Sequence, residues 1–318
     1  MSVPKALERI GGIQAQYAPA MYLGLWSRVE SLERTALTRA LERRWVVQAT
    51  LMRATIHLVS RADYWPLTAA IRAERRAWWE RTHNKQADPV QARAAGKRLR
   101  AFLAGRPRRW KEIQERFGRE DALAAAQYVD IVRMPPSGTW EQRRADLYGL
   151  AEEWVGPDEA GEQEGLELLV RRYLRGFGPA TPAEVADFGM VSIARVRAAL
   201  ERMDLRRFRG EDGKELVDLP RAPLPEPDRP APPRFLPVWD ATLLVHARRT
   251  QILPEEHRAK VFNVKTPNSV NTFLVDGQVA GTWRYDRDRI RIEPFGRIER
   301  TAQRELDEEA ERLAAFHR

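Results

Sequence analysis

Gln14 and Gln16 stand two residues apart behind a glycine pair, in the run Gly11-Gly12-Ile13-Gln14-Ala15-Gln16. A carboxamide takes up no proton in the ordinary pH range, so neither residue can be a general base. Each can accept and donate hydrogen bonds, so two converging amides can hold and orient a water. On a regular helix the two would lie about 200° apart and face different ways. The glycine pair interrupts the preceding helical pattern, at about 1 kcal/mol per Gly, and permits a local geometry in which both amides converge. Two ordinary surface glutamines fit the same pattern.

Other chemistries find little support. The chain has no Cys, which removes thiolate nucleophiles, disulfides, thiolate zinc sites and iron–sulfur clusters. His57, His83, His246, His257 and His317 show no paired ligand spacing, so neither a metal nor another cofactor is expected. No Ser/His/Asp pattern, paired carboxylates, Gly-rich phosphate loop or nucleophile elbow is present. No apolar run reaches about 18 residues, so no membrane span is predicted. The opening MSVPKALERIGG lacks the apolar stretch of a secretory signal, and a cytoplasmic, DNA-associated location is expected.

The elements that must position the glutamines sit in a basic chain of 318 residues. It has 54 Lys and Arg against 45 Asp and Glu, for a net charge of +9. Only seven of the basic residues are Lys, and Arg is the cation suited to phosphate and minor-groove contacts. Codon bias in a GC-rich genome would also raise Arg over Lys. Charge is segregated along the chain. Residues 91–119 hold ten basic and two acidic residues, whereas 151–167 hold seven acids and no base. A basic stripe with an acidic back is the footprint of a polyanion binder, and a pair of solvated helix faces gives the same pattern.

Three stretches repeat one theme, helices followed by strand-like alternation, which is the order of a winged helix-turn-helix. The clearest spans 166–219. There Thr181-Pro182-Ala183-Glu184 starts a helix. Ser192 caps the next, Ile193 to Met203, with Ile193, Val196, Leu200 and Met203 on one face. Arg195 and Arg202 point the other way, with Arg197 at the flank. A hairpin turning at Asp212-Gly213 carries Arg206, Arg207 and Arg209. A second unit has helices Val90–Leu103 and Trp110–Phe117 and strand-like Tyr128–Pro135. A third, at the N-terminus, has helix Leu32–Arg43 before strand-like 46–60, where Arg53, Thr55 and His57 alternate with Ala54, Ile56 and Leu58. On such a strand Arg53, Thr55 and His57 would face DNA, and a half-buried His57 is the alternative.

Eight prolines between Pro220 and Pro237 predict an extended linker that is neither helix nor central strand. Beyond it a β meander is expected, with a hairpin at Asp276-Gly277 and a closing helix from Glu299 to Phe316. Asp240 either caps the segment Ala241–His246 or approaches the DNA site.

The runs GGIQAQYAPAMYLGLWSRV, LMRATIHLVSRADYW, RMPPSGTWEQRRADLY, YLRGFGPATPAEVADF, PVWDATLLVHARRTQIL and FLVDGQVAGTWR, in this order, resemble the AlkZ/YcaQ family of bacterial crosslink-repair DNA glycosylases. The resemblance runs through nearly the whole chain. It makes Gln14 and Gln16 the catalytic Q-Φ-Q pair, in which the second Gln marks the AlkZ branch. It implies an α+β, mainly α fold, with tandem winged helices forming a C-shaped DNA cradle and a β-rich segment after them. It also implies a hairpin that probes the minor groove, with Arg53–Ser60 a candidate for it. The domains expected are 1–80, 81–160 and 161–220 for three winged helices, 221–237 for the linker and 238–318 for the β-rich domain. Relatives carry about one more helical segment before the equivalent of Ile10, so a trimmed first winged helix or an upstream start is expected.

The activity implied is hydrolysis of the N-glycosidic bond of N7- or N3-alkylated purines, bulky adducts and interstrand crosslinks included, by a monofunctional glycosylase acting as a monomer on double-stranded DNA. A purine alkylated at N7 is cationic and departs as a neutral base, so guiding a water with neutral amides can suffice. A tethered base cannot enter a closed pocket, which favours an open groove. The rival reading is a winged-helix regulator or lesion sensor without chemistry. A partner protein with an acidic surface is a further rival, and it would bind with little dependence on salt.

Overall fold

The structure, a computed structural model, describes residues 1–83, 88–226, 228–244, 250–262 and 269–318. The chain opens with α1 (Val3–Ile10), β1 (Ile13–Gln14), α2 (Ala18–Trp26), α3 (Arg34–Glu42) and the hairpin β2 (Val46–Thr50) and β3 (Ile56–Ser60), then the long α4 (Arg61–Thr82). There follow α5 (Pro89–Leu103), β4 (Arg108–Arg109), α6 (Trp110–Phe117), α7 (Arg119–Ala125), β5 (Ile131–Arg133), β6 (Leu147–Leu150) and α8 (Ala151–Trp154). Next come α9 (Glu162–Phe177), α10 (Pro182–Gly189), α11 (Ile193–Glu201), β7 (Arg206–Arg209) and β8 (Glu215–Asp218).

These elements repeat one order: helix, short strand, two helices, hairpin. In the first two repeats the short strand pairs with the last strand of the hairpin, β1 with β3 and β4 with β6. In the third, an isolated bridge from Ala180 to Val217 takes that place. Pairing of β2 with β5 joins the first two hairpins into one antiparallel sheet, ordered β1-β3-β2-β5-β6-β4. The strands expected in separate units therefore share a sheet. Residues Met1–Pro19 and Thr35–Ala222 form one unit, and Ala20–Arg34 with Pro223–Arg318 form the other. The segment 20–34, expected within the first winged helix, thus packs with the C-terminal part.

Capping chemistry explains the helix starts of the third repeat. Thr181 accepts from the Glu184 amide while Glu184 accepts from the Thr181 amide, a reciprocal capping box. Ser192 accepts from the Arg195 amide. Val196, Leu200 and Met203 are buried as their spacing predicts, but Ile193 is 43% exposed. Ile193 is the first residue of α11, where the core-facing stripe has barely begun. The second repeat has a core of its own around Leu99, Leu103, Ile113, Val129 and Leu150. Its strand-like run 128–135 shortens to Ile131–Arg133.

The strand-like run 46–60 is not one strand. The Leu51 amide donates to the Thr55 carbonyl at 2.9 Å across a turn of residues 52–54, in which Arg53 and Ala54 both have positive φ. That turn breaks the alternation on which an outward-facing Arg53, Thr55 and His57 depended.

Among the described residues, four of the seven acids of the acidic stretch form ion pairs, while Glu153, Asp158, Glu159, Glu162 and Glu164 stay exposed. Glu152 pairs with Arg100 at 3.1 Å and Asp158 with Arg72 at 2.6 Å. Glu167 pairs with Arg202 at 3.1 Å, and Glu162 pairs with Arg195.

In the other unit, β9 (Arg234–Leu236) opens a four-stranded sheet before the short α12 (Ala241–Leu244) and α13 (Glu255–Val261). The sheet continues with β10 (Thr272–Val275), β11 (Gln278–Asp286) and β12 (Arg289–Pro294), and α14 (Arg300–His317) follows. The proline-rich run therefore ends in a strand. Its position at the sheet edge is where flanking prolines are tolerated. Asp276 (φ 48°) and Gly277 (φ 75°) make the predicted hairpin turn. Asp240 is buried, accepts from the Thr242 amide and takes a two-pronged pair from Arg28 at 2.7 and 3.0 Å. Burial works to raise its pKa, but the Arg28 charge and the hydrogen bonds outweigh it and hold the carboxyl below its ordinary value. The role of Asp240 is structural. The far end of the Ala241–His246 segment lies outside the described residues. Among the described residues no helix is long and apolar enough to cross a membrane.

Candidate active site

Gly11 and Gly12 let the chain leave α1 and enter β1. Both have positive φ (71° and 85°), and Gly11 closes the helix in the left-handed conformation. A Cβ on Gly12 would stand 3.0 Å from a Val59 methyl and 3.1 Å from the Leu58 carbonyl. The backbone can therefore lie flat against β3, pairing Ile13 with Leu58 and Gln14 with His57. The Ala15 amide extends the pairing by donating to the Ile56 carbonyl at 2.7 Å.

Extended backbone resolves the geometry that a helix would have denied. Side chains two apart on a strand share a face. Ala15 points the other way and is fully buried, and Gln48 Nε2 donates to its carbonyl at 3.1 Å. Gln14 and Gln16 meet on the opposite face, where Gln14 Nε2 donates to Gln16 Oε1 at 2.7 Å. Gln14 is 7% exposed, and Gln16 is exposed.

Arg53 completes the cluster. Its Nη2 donates to Gln14 Oε1 at 2.9 Å, and its guanidinium lies 5.5 Å above the Phe188 ring. Burial lowers its pKa to about 10, which leaves it charged at neutral pH. Beneath it is His57, at 2% exposure. The ring contacts Arg53 Nη2 through Nε2 at 3.5 Å and the Thr55 carbonyl through Nδ1 at 3.1 Å. Burial, then the nearby Arg53 charge, push His57 down to about 3. The ring is therefore neutral at neutral pH. Its Nδ1–H donates to Thr55 and its Nε2 faces Arg53 as an acceptor.

Arg53, Thr55 and His57, expected side by side on one strand face, are placed differently from one another. His57 is interior, at 2% exposure, on the central part of β3 where His57 to Ser60 are all buried. The Thr55 hydroxyl closes the turn by donating to the Met52 carbonyl at 3.0 Å. Arg53 joins the glutamines instead of standing out on a free strand. Arg195 of α11 pairs with Glu74 and Glu162, and Arg202, just past the end of the helix, pairs with Glu167. The acids of α4 and α9 that face this helix occupy both. Arg206 is half-buried over the Phe208 ring at 5.0 Å, and Arg207 pairs with Glu215. Arg197 and Arg209 are exposed.

Sequence reasoning missed Phe188 and the clamp beneath α1. Arg172 of α9 holds Asp63 of α4 through bonds of 2.7 and 2.8 Å, and lies 3.9 Å from Glu8. A Cβ on Gly11 would touch the Arg172 carbonyl at 3.3 Å, so the clamp and the glycine turn pack together. These residues are far apart in sequence, and no local spacing signals them.

The family described as DNA glycosylase AlkZ-like matches residues 7–316. The chain belongs to the AlkZ-like DNA glycosylase family. Among solved structures it is similar to the Streptomyces sahachiroi DNA glycosylase AlkZ, with a TM-score of 0.82 and 19% identity over 100% of this chain and 91% of that one. No curated protein matches it. At that identity the AlkZ likeness speaks to the fold. The family match makes this chain an AlkZ-like DNA glycosylase, an enzyme whose substrate is DNA.

Proposed function

We propose that this AlkZ-like chain excises cationic N7- or N3-alkylated purines from double-stranded DNA, including bulky adducts and interstrand crosslinks. It does so as a monofunctional, monomeric enzyme that hydrolyses the N-glycosidic bond with neutral amides. The observation that carries this reading is the hydrogen-bonded pair Gln14–Gln16, backed by half-buried Arg53, with Gln16 the exposed member of the pair.

The cluster assigns different work to its members. Arg53 occupies Gln14 Oε1, so the Gln14 amino group must face Gln16. Gln16 Oε1 accepts a hydrogen bond from that amino group, which turns the Gln16 carboxamide to one orientation. A second lone pair on Gln16 Oε1 and the Gln16 NH2 group remain to accept from and donate to a water at C1′. Gln16 is thus the catalytic residue, and Gln14 and Arg53 position it. Preorganised dipoles of this kind save the cost of arranging them during the reaction.

The chemistry limits the substrate. Without a base strong enough to ionise water, the site needs a leaving group that departs unaided. A base alkylated at N7 or N3 carries positive charge in DNA and leaves neutral, whereas uracil would have to leave as an anion. Excision of 7-methylguanine but not uracil from duplex DNA is the outcome expected. Release of uracil, or release of 7-methylguanine by the Gln14→Ala/Gln16→Ala double variant at the parent's rate, would remove the proposal.

The rival, a regulator reading bases with α11, is disfavoured by the ion pairs that hold Arg195 and Arg202. A recognition helix needs such side chains for base edges.

A further inference from the structure

A cavity of about 260 Å³ is bounded by α4, the strands β5 and β6, and the end of β2. Its charged lining is Arg75, Arg133 and Asp130, and Trp110 and Tyr148 form an aromatic wall with ring centroids 5.2 Å apart. None of these residues belongs to the Gln14–Gln16 cluster.

The charges do not balance. Asp130 pairs with Arg72 at 3.0 Å and, more loosely, with Arg75 Nη2 at 3.6 Å, so one carboxylate serves two cations and leaves none for Arg133. Arg133 is 8% exposed, and among the described residues no carboxylate pairs with it. Its Nη1 reaches the Thr50 hydroxyl at 3.3 Å, its guanidinium lies 5.0 Å from the Tyr148 ring centre, and its remaining polar partner is the Tyr148 side chain, which is no carboxylate. Arg75 Nη1 donates to the carbonyl of the same Thr50 at 2.7 Å. Thr50 therefore draws both guanidinium groups to one place. The Nε atoms of Arg75 and Arg133 are buried and have no hydrogen-bond partner. A buried cation without an acid is costly unless an anion meets it. Forked guanidinium donors match tetrahedral and planar oxyanions, with phosphate the strongest acceptor of that kind.

Size narrows the choice. With each water taking about 30 Å³ of liquid, the cavity has the volume of roughly nine waters. That is below the usual range for an enclosed drug-sized ligand, yet ample for a phosphate and part of the group that carries it.

We propose that this cavity is a phosphate-binding site in which Arg75 and Arg133 grip one oxyanion beside Thr50. The phosphate comes either from solution or from the DNA backbone, and two arms of one experiment separate these sources. The first arm follows thermal unfolding of the full chain in sodium phosphate and in sodium chloride at matched ionic strength, together with the phosphorus NMR linewidth of inorganic phosphate. At ten times the dissociation constant, phosphate is expected to raise the midpoint by about 3 °C over chloride, and the line to broaden. Arg133→Gln abolishes both effects without lowering the midpoint in chloride, because it removes an unpaired buried charge. The second arm measures the salt dependence of duplex DNA binding. If a backbone phosphate fills the site, Arg133→Gln reduces the slope of log K against log salt by about 0.9. If free phosphate fills it, the slope is unchanged and only the first arm responds. The linewidth and the DNA slope of the parent protein need no variant to fold. No response in either arm, or a full phosphate response retained by Arg133→Gln, overturns the proposal.

Discussion

Arg53 Nη2 donates to Gln14 Oε1 at 2.9 Å, and this one hydrogen bond decides which way the Gln14 carboxamide faces. An amide that flipped would set its NH2 against a guanidinium and its oxygen against Gln16 Oε1. Both contacts would then join like with like. A cation that acts through an uncharged intermediary can order the site without placing its own charge at the sugar, where positive charge develops.

The two glutamines should therefore not be equivalent. Gln16→Ala is expected to reduce 7-methylguanine excision by about 100-fold or more, the usual cost of losing a preorganised dipole at a reacting centre. Gln14→Ala should cost less, because it removes the group that orients Gln16 and leaves Gln16 in place. Single-turnover base release with each variant checks the order. Equal rates for the two variants would merge the roles assigned here.

Arg53→Met should slow excision by about 10-fold or more while DNA affinity stays within a few-fold. Arg53→Lys should restore only part of the rate, because a lysine keeps the charge but not the planar fork. A DNA contact would behave differently. Its loss would weaken binding and flatten the salt dependence while sparing single-turnover excision at saturating protein.

His57 makes stability depend on acid. Its ordinary value is 6.5 and its folded value about 3. Between these the unfolded chain takes up a proton that the folded chain refuses. Its stabilising effect is complete above pH 6.5, and is lost at about 1.4 kcal/mol per pH unit as pH falls from there toward 3. Urea midpoints at pH 7.5, 6 and 5 should fall more steeply for the parent than for His57→Gln.

Gly12→Ala is expected to destabilise the chain by about 1–2 kcal/mol from the left-handed backbone alone, and by more from the approach to Val59 and Leu58. Excision should fall further than a purely structural loss would predict, since β1 carries Gln14. Comparing the denaturant midpoint with the rate at a temperature where the variant is fully folded separates the two.

Arg28→Met leaves Asp240 buried without its cation, and should cost about 3–5 kcal/mol at neutral pH. The loss should shrink in acid, where Asp240 takes up a proton and no longer needs a partner. Thermal unfolding at pH 7 and pH 4 measures that difference.

The sequence determined what was local. Thr181 to Glu184, Ser192, Asp212-Gly213 and Asp276-Gly277 each carry their own capping or turn chemistry, so the third repeat and the C-terminal meander were legible from a few neighbours. The order of the quoted runs was enough to place the chain in its family. The sequence also showed that Gly11-Gly12 interrupts a helix before Gln14. Only the tertiary structure decided that Gln14 lies on a strand. That depends on β3, more than forty residues on, offering a free edge. Tertiary packing also decided that His57 is interior, that Arg53 belongs to the glutamines, and that Arg195 and Arg202 are occupied. A charge pattern gives the number of cations, but whether one faces solvent or a carboxylate depends on which distant acid the fold brings within about 4 Å.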